Sequence, residues 1–174
     1  MSAEPEVLFS EEAIAARVDA MAREIAHARP EIAVTILIGG FVFAADLIRA
    51  LARHGVHLEA EFLWLRSYGD ARVGGAVSLL AGPSENVRGK RALLIDGVLD
   101  VGRTIVKAQQ LLEGAGATAI MTAVAVDKGQ TDAMARADIA GFSNVGDFIV
   151  GYGMDDAGKY RGLPYIGRVT TPSP

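Results

Sequence analysis

Three short runs are predominantly apolar on both faces, Ile32-Ala-Val-Thr-Ile-Leu-Ile38, Arg91-Ala-Leu-Leu-Ile-Asp96 between its charged ends, and Thr118 to Val126. Each stops at glycine or a carboxylate, and helical spacing follows the first two. A strand facing water on one side alternates apolar with polar residues. Continuously apolar strands need cover on both faces, which a parallel sheet between helices provides. The chain is therefore expected to be α/β, a parallel sheet flanked by helices, and its 174 residues give one domain spanning 1–174.

The intervening segments agree. Ser10 offers an N-cap, Glu11 and Glu12 fill the first turn, and Ile14, Val18, Met21 and Ile25 mark the buried stripe of a helix ending before Pro30. Phe9 and Ile14 occupy the positions of a hydrophobic staple. Phe41 to Arg53 carries Phe43, Leu47 and Leu51 at spacing four, with Gly55 placed to close the helix. Leu58 to Leu65 reads as a strand, Arg66 to Gly75 as a mobile loop, Ala76 to Ala81 as a short strand and Gly82-Pro-Ser-Glu-Asn as a turn. Thr104 to Glu113 reads as a helix ended by Gly114 and Gly116. Beyond Gly129 the pattern changes to short strands and turns, expected to form a small hood with the N-terminal segment.

Composition excludes several classes. With no cysteine, disulfides, thiolate-bound metals and thiol chemistry are absent. A net charge of −4 gives no general attraction to nucleic acid. The first residues carry acids where an export signal carries basic residues, and no apolar stretch reaches the length of a membrane span, so a cytoplasmic protein is expected. His27, His54 and His57 show no metal-ligand spacing.

Ligands of open α/β sheets sit beyond the carboxyl ends of the strands. There the segment Leu94-Ile-Asp96-Gly97-Val-Leu-Asp100-Val101-Gly102-Arg103-Thr104 runs from strand through a D-x-G-x-T loop into a helix. Such a loop brings backbone N–H groups and the Thr104 hydroxyl to a helix N-terminus, where a phosphate is favoured, and Gly102 allows close approach. Asp96 and Asp100 place two carboxylates at the rim, suited to ribose hydroxyls, a cation or a proton. An ordinary βα turn capped by acids is the plainer reading of the same residues.

This segment resembles the phosphoribosyl-pyrophosphate motif of type I phosphoribosyltransferases. Further blocks follow the order of the hypoxanthine-guanine phosphoribosyltransferase family: Leu37-Ile-Gly-Gly-Phe-Val-Phe43, Arg66-Ser-Tyr-Gly69, Asp127-Lys128, Asp147-Phe-Ile-Val-Gly-Tyr-Gly-Met-Asp155 and Lys159-Tyr-Arg-Gly-Leu-Pro-Tyr-Ile-Gly167. The resemblance covers about residues 7 to 168. It implies transfer of ribose 5-phosphate from phosphoribosyl pyrophosphate to a 6-oxopurine, with Mg²⁺ and release of pyrophosphate. It also implies roles. Val101, Gly102, Arg103 and Thr104 would hold the 5-phosphate, Asp96 a ribose hydroxyl, and Gly39 and Arg161 the pyrophosphate. Asp100 would take the proton of the purine imidazole, Lys128 would donate to the exocyclic oxygen, Phe148 would stack on the base and Ile149 would read its edge. Asp155 would help hold Mg²⁺, and Ser67 and Tyr68 would begin a closing loop. A homodimer or homotetramer is the implied assembly.

Three positions depart from the family pattern: Ile38 replaces a frequent lysine, Gly97 the second residue of an acidic pair, and Val101 a serine or threonine. A hydrogen bond to a charged group contributes about 1.5–3 kcal/mol, so the lost carboxylate at Gly97 is expected to weaken binding or slow turnover by roughly 10- to 200-fold. Asp at position 97 is then the substitution expected to restore the pair. The rival reading is a non-catalytic nucleotide or phosphoribosyl-pyrophosphate sensor on the same fold. The choice among hypoxanthine, guanine and xanthine is not readable from the residues.

Overall fold

The computed structural model describes residues 4–67 and 77–169. In chain order these form β1 (Glu6–Phe9), α1 (Glu11–Ala26), β2 (Ile32–Leu37), α2 (Phe41–Arg53), β3 (Glu59–Ser67), β4 (Val77–Ala81), β5 (Arg91–Leu99), α3 (Arg103–Gly114), β6 (Ala119–Asp127), β7 (Ile139–Ser143), β8 (Ile149–Val150) and β9 (Ile166–Arg168). Six strands make the main sheet in the order β4-β3-β2-β5-β6-β7, all parallel except the β3–β4 pair. A second, three-stranded antiparallel sheet, β1-β9-β8, is the hood.

The apolar runs are covered on both sides as the sequence requires. Along β5, Leu93 and Ile95 join the core under α1 and α2, with Met21, Ile25, Phe43 and Leu47. Their neighbours Ala92 and Leu94 join the opposite core with Ile105, Ala108 and Leu112 of α3. Ser10 caps α1 by accepting from the Ala13 N–H at 3.3 Å. Gly55 follows the C-cap of α2, with the Val56 N–H returning to the Leu51 carbonyl at 2.9 Å.

Three boundaries differ from expectation, each through a neighbouring strand. β3 extends to Ser67 because β4 pairs antiparallel with it, Arg66 facing Ser78 and Ser67 facing Val77. Arg66 and Ser67 therefore belong to a strand instead of a loop; Tyr68 lies outside the described residues. β5 continues through Asp96 and Gly97 to Leu99, because β6 supplies partners as far as Asp127. Residues after Gly129 are not all hood, since β7 adds a parallel strand to the main sheet beside β6.

The hood is tied to the main sheet by an aromatic stack. Phe9 of β1 lies on Phe142 of β7 with centroids 3.8 Å apart and planes inclined by 14°. Both rings are partly buried. Removing one loses apolar burial and the ring pairing together. Phe142→Ala is expected to lower unfolding stability by about 2–3 kcal/mol, read as a fall in the urea midpoint at unchanged slope.

Candidate active site

The parallel strands end together, so the turns after β2, β5 and β6 meet at one edge of the sheet. Register then fixes the side chains. Leu99 pairs with Asp127, and the Lys128 N–H donates to the Leu99 carbonyl at 2.9 Å, so Asp100 and Lys128 leave their strands side by side. Lys128 Nζ stands 3.7 Å from Asp100 Oδ2, and Gln130 Nε2 donates to Asp100 Oδ1 at 3.3 Å. Across from them the hood turn carries a second pair. Arg161 Nη2 meets Asp155 Oδ1 at 2.7 Å, Arg161 Nη1 donates to the Gly153 carbonyl at 2.7 Å, and the Gly158 N–H donates to Asp155 Oδ2 at 2.7 Å.

Between these pairs lies a cavity of about 590 Å³ lined by Gly39, Asp100, Lys128, Phe148, Ile149, Asp155 and Arg161, all residues that the sequence singles out. That volume suits a small-molecule site. Phe148 is 40 % exposed, leaving a face of its ring available, whereas Ile149 is buried in β8. Trp64, Leu65, Arg66, Val98 and Met154 line the same cavity and were not assigned from sequence. Position at the carboxyl end of β3 is the signal for Trp64 and Arg66; for Trp64 it is readable within Leu58 to Leu65, and for Arg66 it is hidden because the strand read from sequence stops at Leu65.

The remaining residues stand elsewhere. Val101, Gly102, Arg103 and Thr104 form the turn into α3, with Gly102 as N-cap at φ +87°. A side chain at Gly102 would meet the Ala135 nitrogen at 2.8 Å, so glycine is required both by conformation and by the close packing of this turn. The Met134 N–H donates to the Val101 carbonyl at 2.8 Å. These four residues adjoin Asp100 in the chain but do not line the cavity.

Asp96 is not at the rim. It lies inside β5, 8 % exposed, and its Oδ1 accepts the Gly97 N–H at 2.7 Å. Burial pushes its carboxyl up to about 7, only partly opposed by that hydrogen bond. Gly97, the expected place for a restored acid, is also filled. A Cβ built there would lie 2.6 Å from the Gly39 carbonyl oxygen and 3.0 Å from its carbon. Restoring Asp at 97 therefore requires the Gly39 turn to move.

The profile of the phosphoribosyl transferase domain matches residues 6–157. The chain is 32 % identical over 171 residues to the hypoxanthine phosphoribosyltransferase of Escherichia coli, covering 94 % of each protein. The chain belongs to the hypoxanthine-guanine phosphoribosyltransferase family. It is 31 % identical over 170 residues to the hypoxanthine-guanine phosphoribosyltransferase of Dictyostelium discoideum, again with 94 % of each chain covered. The fold matches the hypoxanthine phosphoribosyltransferase of Trypanosoma cruzi with a TM-score of 0.85 at 26 % identity, over 97 % of both chains. That enzyme has also been solved in complex with the product IMP.

The family's reaction implies Mg²⁺, and the donor set can be tested for it. Among the described residues no three His, Asp or Glu side chains converge on one point. The cavity offers the carboxylates of Asp100 and Asp155, each already engaged by a neighbour. Mg²⁺ commonly takes one or two carboxylates and completes its shell with phosphate oxygens and water. These residues fit a cation that arrives with a pyrophosphate, not a cage formed by protein alone.

The carboxyl of Asp96 has a stability consequence. Its folded value near 7 lies above the ordinary 3.8, so between those values the folded state keeps a proton that the unfolded chain has lost. Stability therefore falls as pH rises through this window and stays lower above it, by at most about 4 kcal/mol. Asp96→Asn retains an acceptor for the Gly97 N–H and cannot ionise. It is expected to melt about 3–8 °C above the parent at a pH of about 8 and close to it at a pH of about 4, in parallel thermal scans; equal differences at both pH values would contradict the burial argument.

Proposed function

We infer that this protein is a purine-salvage enzyme transferring ribose 5-phosphate from phosphoribosyl pyrophosphate to a ring nitrogen of hypoxanthine or guanine. The observation that carries the reading is the meeting of a carboxylate–lysine pair, an exposed aromatic face and an arginine–carboxylate pair in one cavity of about 590 Å³, in a chain of this family.

The roles follow from the chemistry of each group. The purine lies against Phe148, its edge meeting the backbone at Ile149. Lys128 donates to the exocyclic oxygen, which favours oxopurines over aminopurines. As the nitrogen–ribose bond forms and the bond to pyrophosphate breaks, Asp100 accepts the proton released from the imidazole ring. Its pairing with Lys128 holds it in place for that step. The N-terminus of α3, from Val101 to Thr104, takes the 5-phosphate through backbone donors and the Thr104 hydroxyl. Asp96 accepts from a ribose hydroxyl once the neighbouring turns adjust. Arg161 and the Gly39 amide face the leaving pyrophosphate. Asp155, paired with Arg161, would help hold Mg²⁺, which when bound would supply charge neutralisation to the leaving pyrophosphate. Ser67 and Tyr68 begin the segment that closes over the reacting atoms and excludes water. The working form is a homodimer or homotetramer in the cytoplasm.

The test is nucleotide formation, detected by mass spectrometry after incubation with phosphoribosyl pyrophosphate, Mg²⁺ and hypoxanthine, guanine, xanthine or adenine. Nucleotide is expected from hypoxanthine or guanine, and chelation of Mg²⁺ should abolish it. Asp100→Asn is expected to lower kcat by roughly 10²-fold or more with an unchanged melting temperature. Folded parent protein that yields no nucleotide from any base would overturn the assignment.

A further inference from the structure

We propose that Gly97 and Gly153 form a two-sided seat for the main-chain carbonyl of Gly39, and that this seat positions the turn that receives pyrophosphate in this enzyme. The proposal rests on the transferase reading above.

The two glycines come from different parts of the fold. Gly97 is in β5, and Gly153 is in the hood turn at φ +99°. An ideal Cβ on Gly97 would stand 2.6 Å from the Gly39 oxygen; one on Gly153 would stand 2.5 Å from the same atom. No real Cβ sits that close to an oxygen, so the carbonyl occupies the space that side chains on both residues would need. Backbone approaches of this kind bring Cα–H groups against a carbonyl, a weak attraction available to glycine on both sides. The α-carbon of Gly39 itself has nothing within 4 Å of where a Cβ would be. The turn is thus gripped at its carbonyl, not at its own α-carbon.

This grip has a functional side. The Gly39 N–H donates to no group among the described residues, and Gly39 lines the cavity. The Gly153 carbonyl accepts from Arg161 Nη1 at 2.7 Å, and Arg161 lines the cavity too. One glycine therefore connects the turn's unpaired donor with the nearby cation, and these are the two groups suited to the most anionic part of the substrate. The missing acid at position 97 gains a positive explanation. A side chain there would require the Gly39 carbonyl to shift, and Gly153 approaches the same oxygen as closely. Misplacement on the order of 1 Å can cost about 10²-fold in enzyme sites. In this chain the seat occupies the position where the family pattern has the second residue of an acidic pair, and it serves by placing a backbone amide.

The experiment measures binding by titration calorimetry, in Mg²⁺, of pyrophosphate, phosphoribosyl pyrophosphate and IMP to the parent, Gly97→Ala, Gly97→Asp and Gly153→Ala. Gly114→Ala, with open space around its Cβ, is the control for glycine replacement. Both Gly97 variants are expected to weaken pyrophosphate and phosphoribosyl pyrophosphate by 10-fold or more while changing IMP by less than 3-fold, because IMP has no pyrophosphate to meet the turn. A general loss of structure would lower all three affinities together. Gly97→Asp binding phosphoribosyl pyrophosphate as tightly as the parent, or a uniform loss for all ligands, would overturn the seat. Should Gly97→Ala not fold, Gly153→Ala approaches the same oxygen from the hood and must show the same split. A parent that binds phosphoribosyl pyrophosphate but forms no nucleotide would defeat the transferase reading while the split still decides the seat. A parent that binds none of the three ligands overturns both.

Discussion

Parallel hydrogen bonding along both edges of β5 is the constraint on which the rest of this structure depends. β2 holds one edge and β6 the other, and their carboxyl ends fall in line. Gly39, Asp100 and Lys128 are carried on the turns that leave this line. The bond from the Lys128 N–H to the Leu99 carbonyl prolongs the β5–β6 ladder beyond the strand and sets Lys128 beside Asp100. The hood then supplies the opposite wall, fastened by the Phe9–Phe142 stack and by the contact of Gly153 with the Gly39 carbonyl.

The charges in the cavity are paired with one another. Asp100 with Lys128 and Asp155 with Arg161 leave little net field, and all four groups keep some exposure. Ion pairs of this kind contribute about 0–1 kcal/mol to stability, so exchanging a partner for a substrate phosphate or a cation is inexpensive. Asp96 is the opposite case: its carboxyl is buried with a single backbone donor, and it responds by holding its proton.

Much of this was legible in the residues. Apolar runs, spacing of four in α2 and the Ser10 cap located the main elements, because burial and hydrogen bonding act over neighbours in sequence. The cavity residues Asp100, Lys128, Phe148, Asp155 and Arg161 were legible through the family pattern, since their chemistry survives without knowing their distances. What was hidden depends on neighbours remote in sequence. The extension of β5 over Asp96 and Gly97 is imposed by β6, and it turns a rim carboxylate into a buried one. The placing of β7 in the main sheet depends on an open edge of β6. Gly97 looked like a deletion of function because a glycine reports nothing about which atom fills the space beside it; here that atom belongs to Gly39, nearly sixty positions earlier.

The hood also has a consequence for how the chain matures. β1, formed by residues 6–9, pairs with β9, formed by residues 166–168, so the first of the described strands to be made waits for the last of them. The main sheet up to β7 can assemble in the meantime, since its strands pair with others already synthesised or soon to follow. Closing the hood is thus the strand pairing of greatest sequence separation among the described residues, the one whose loop-closure cost is highest.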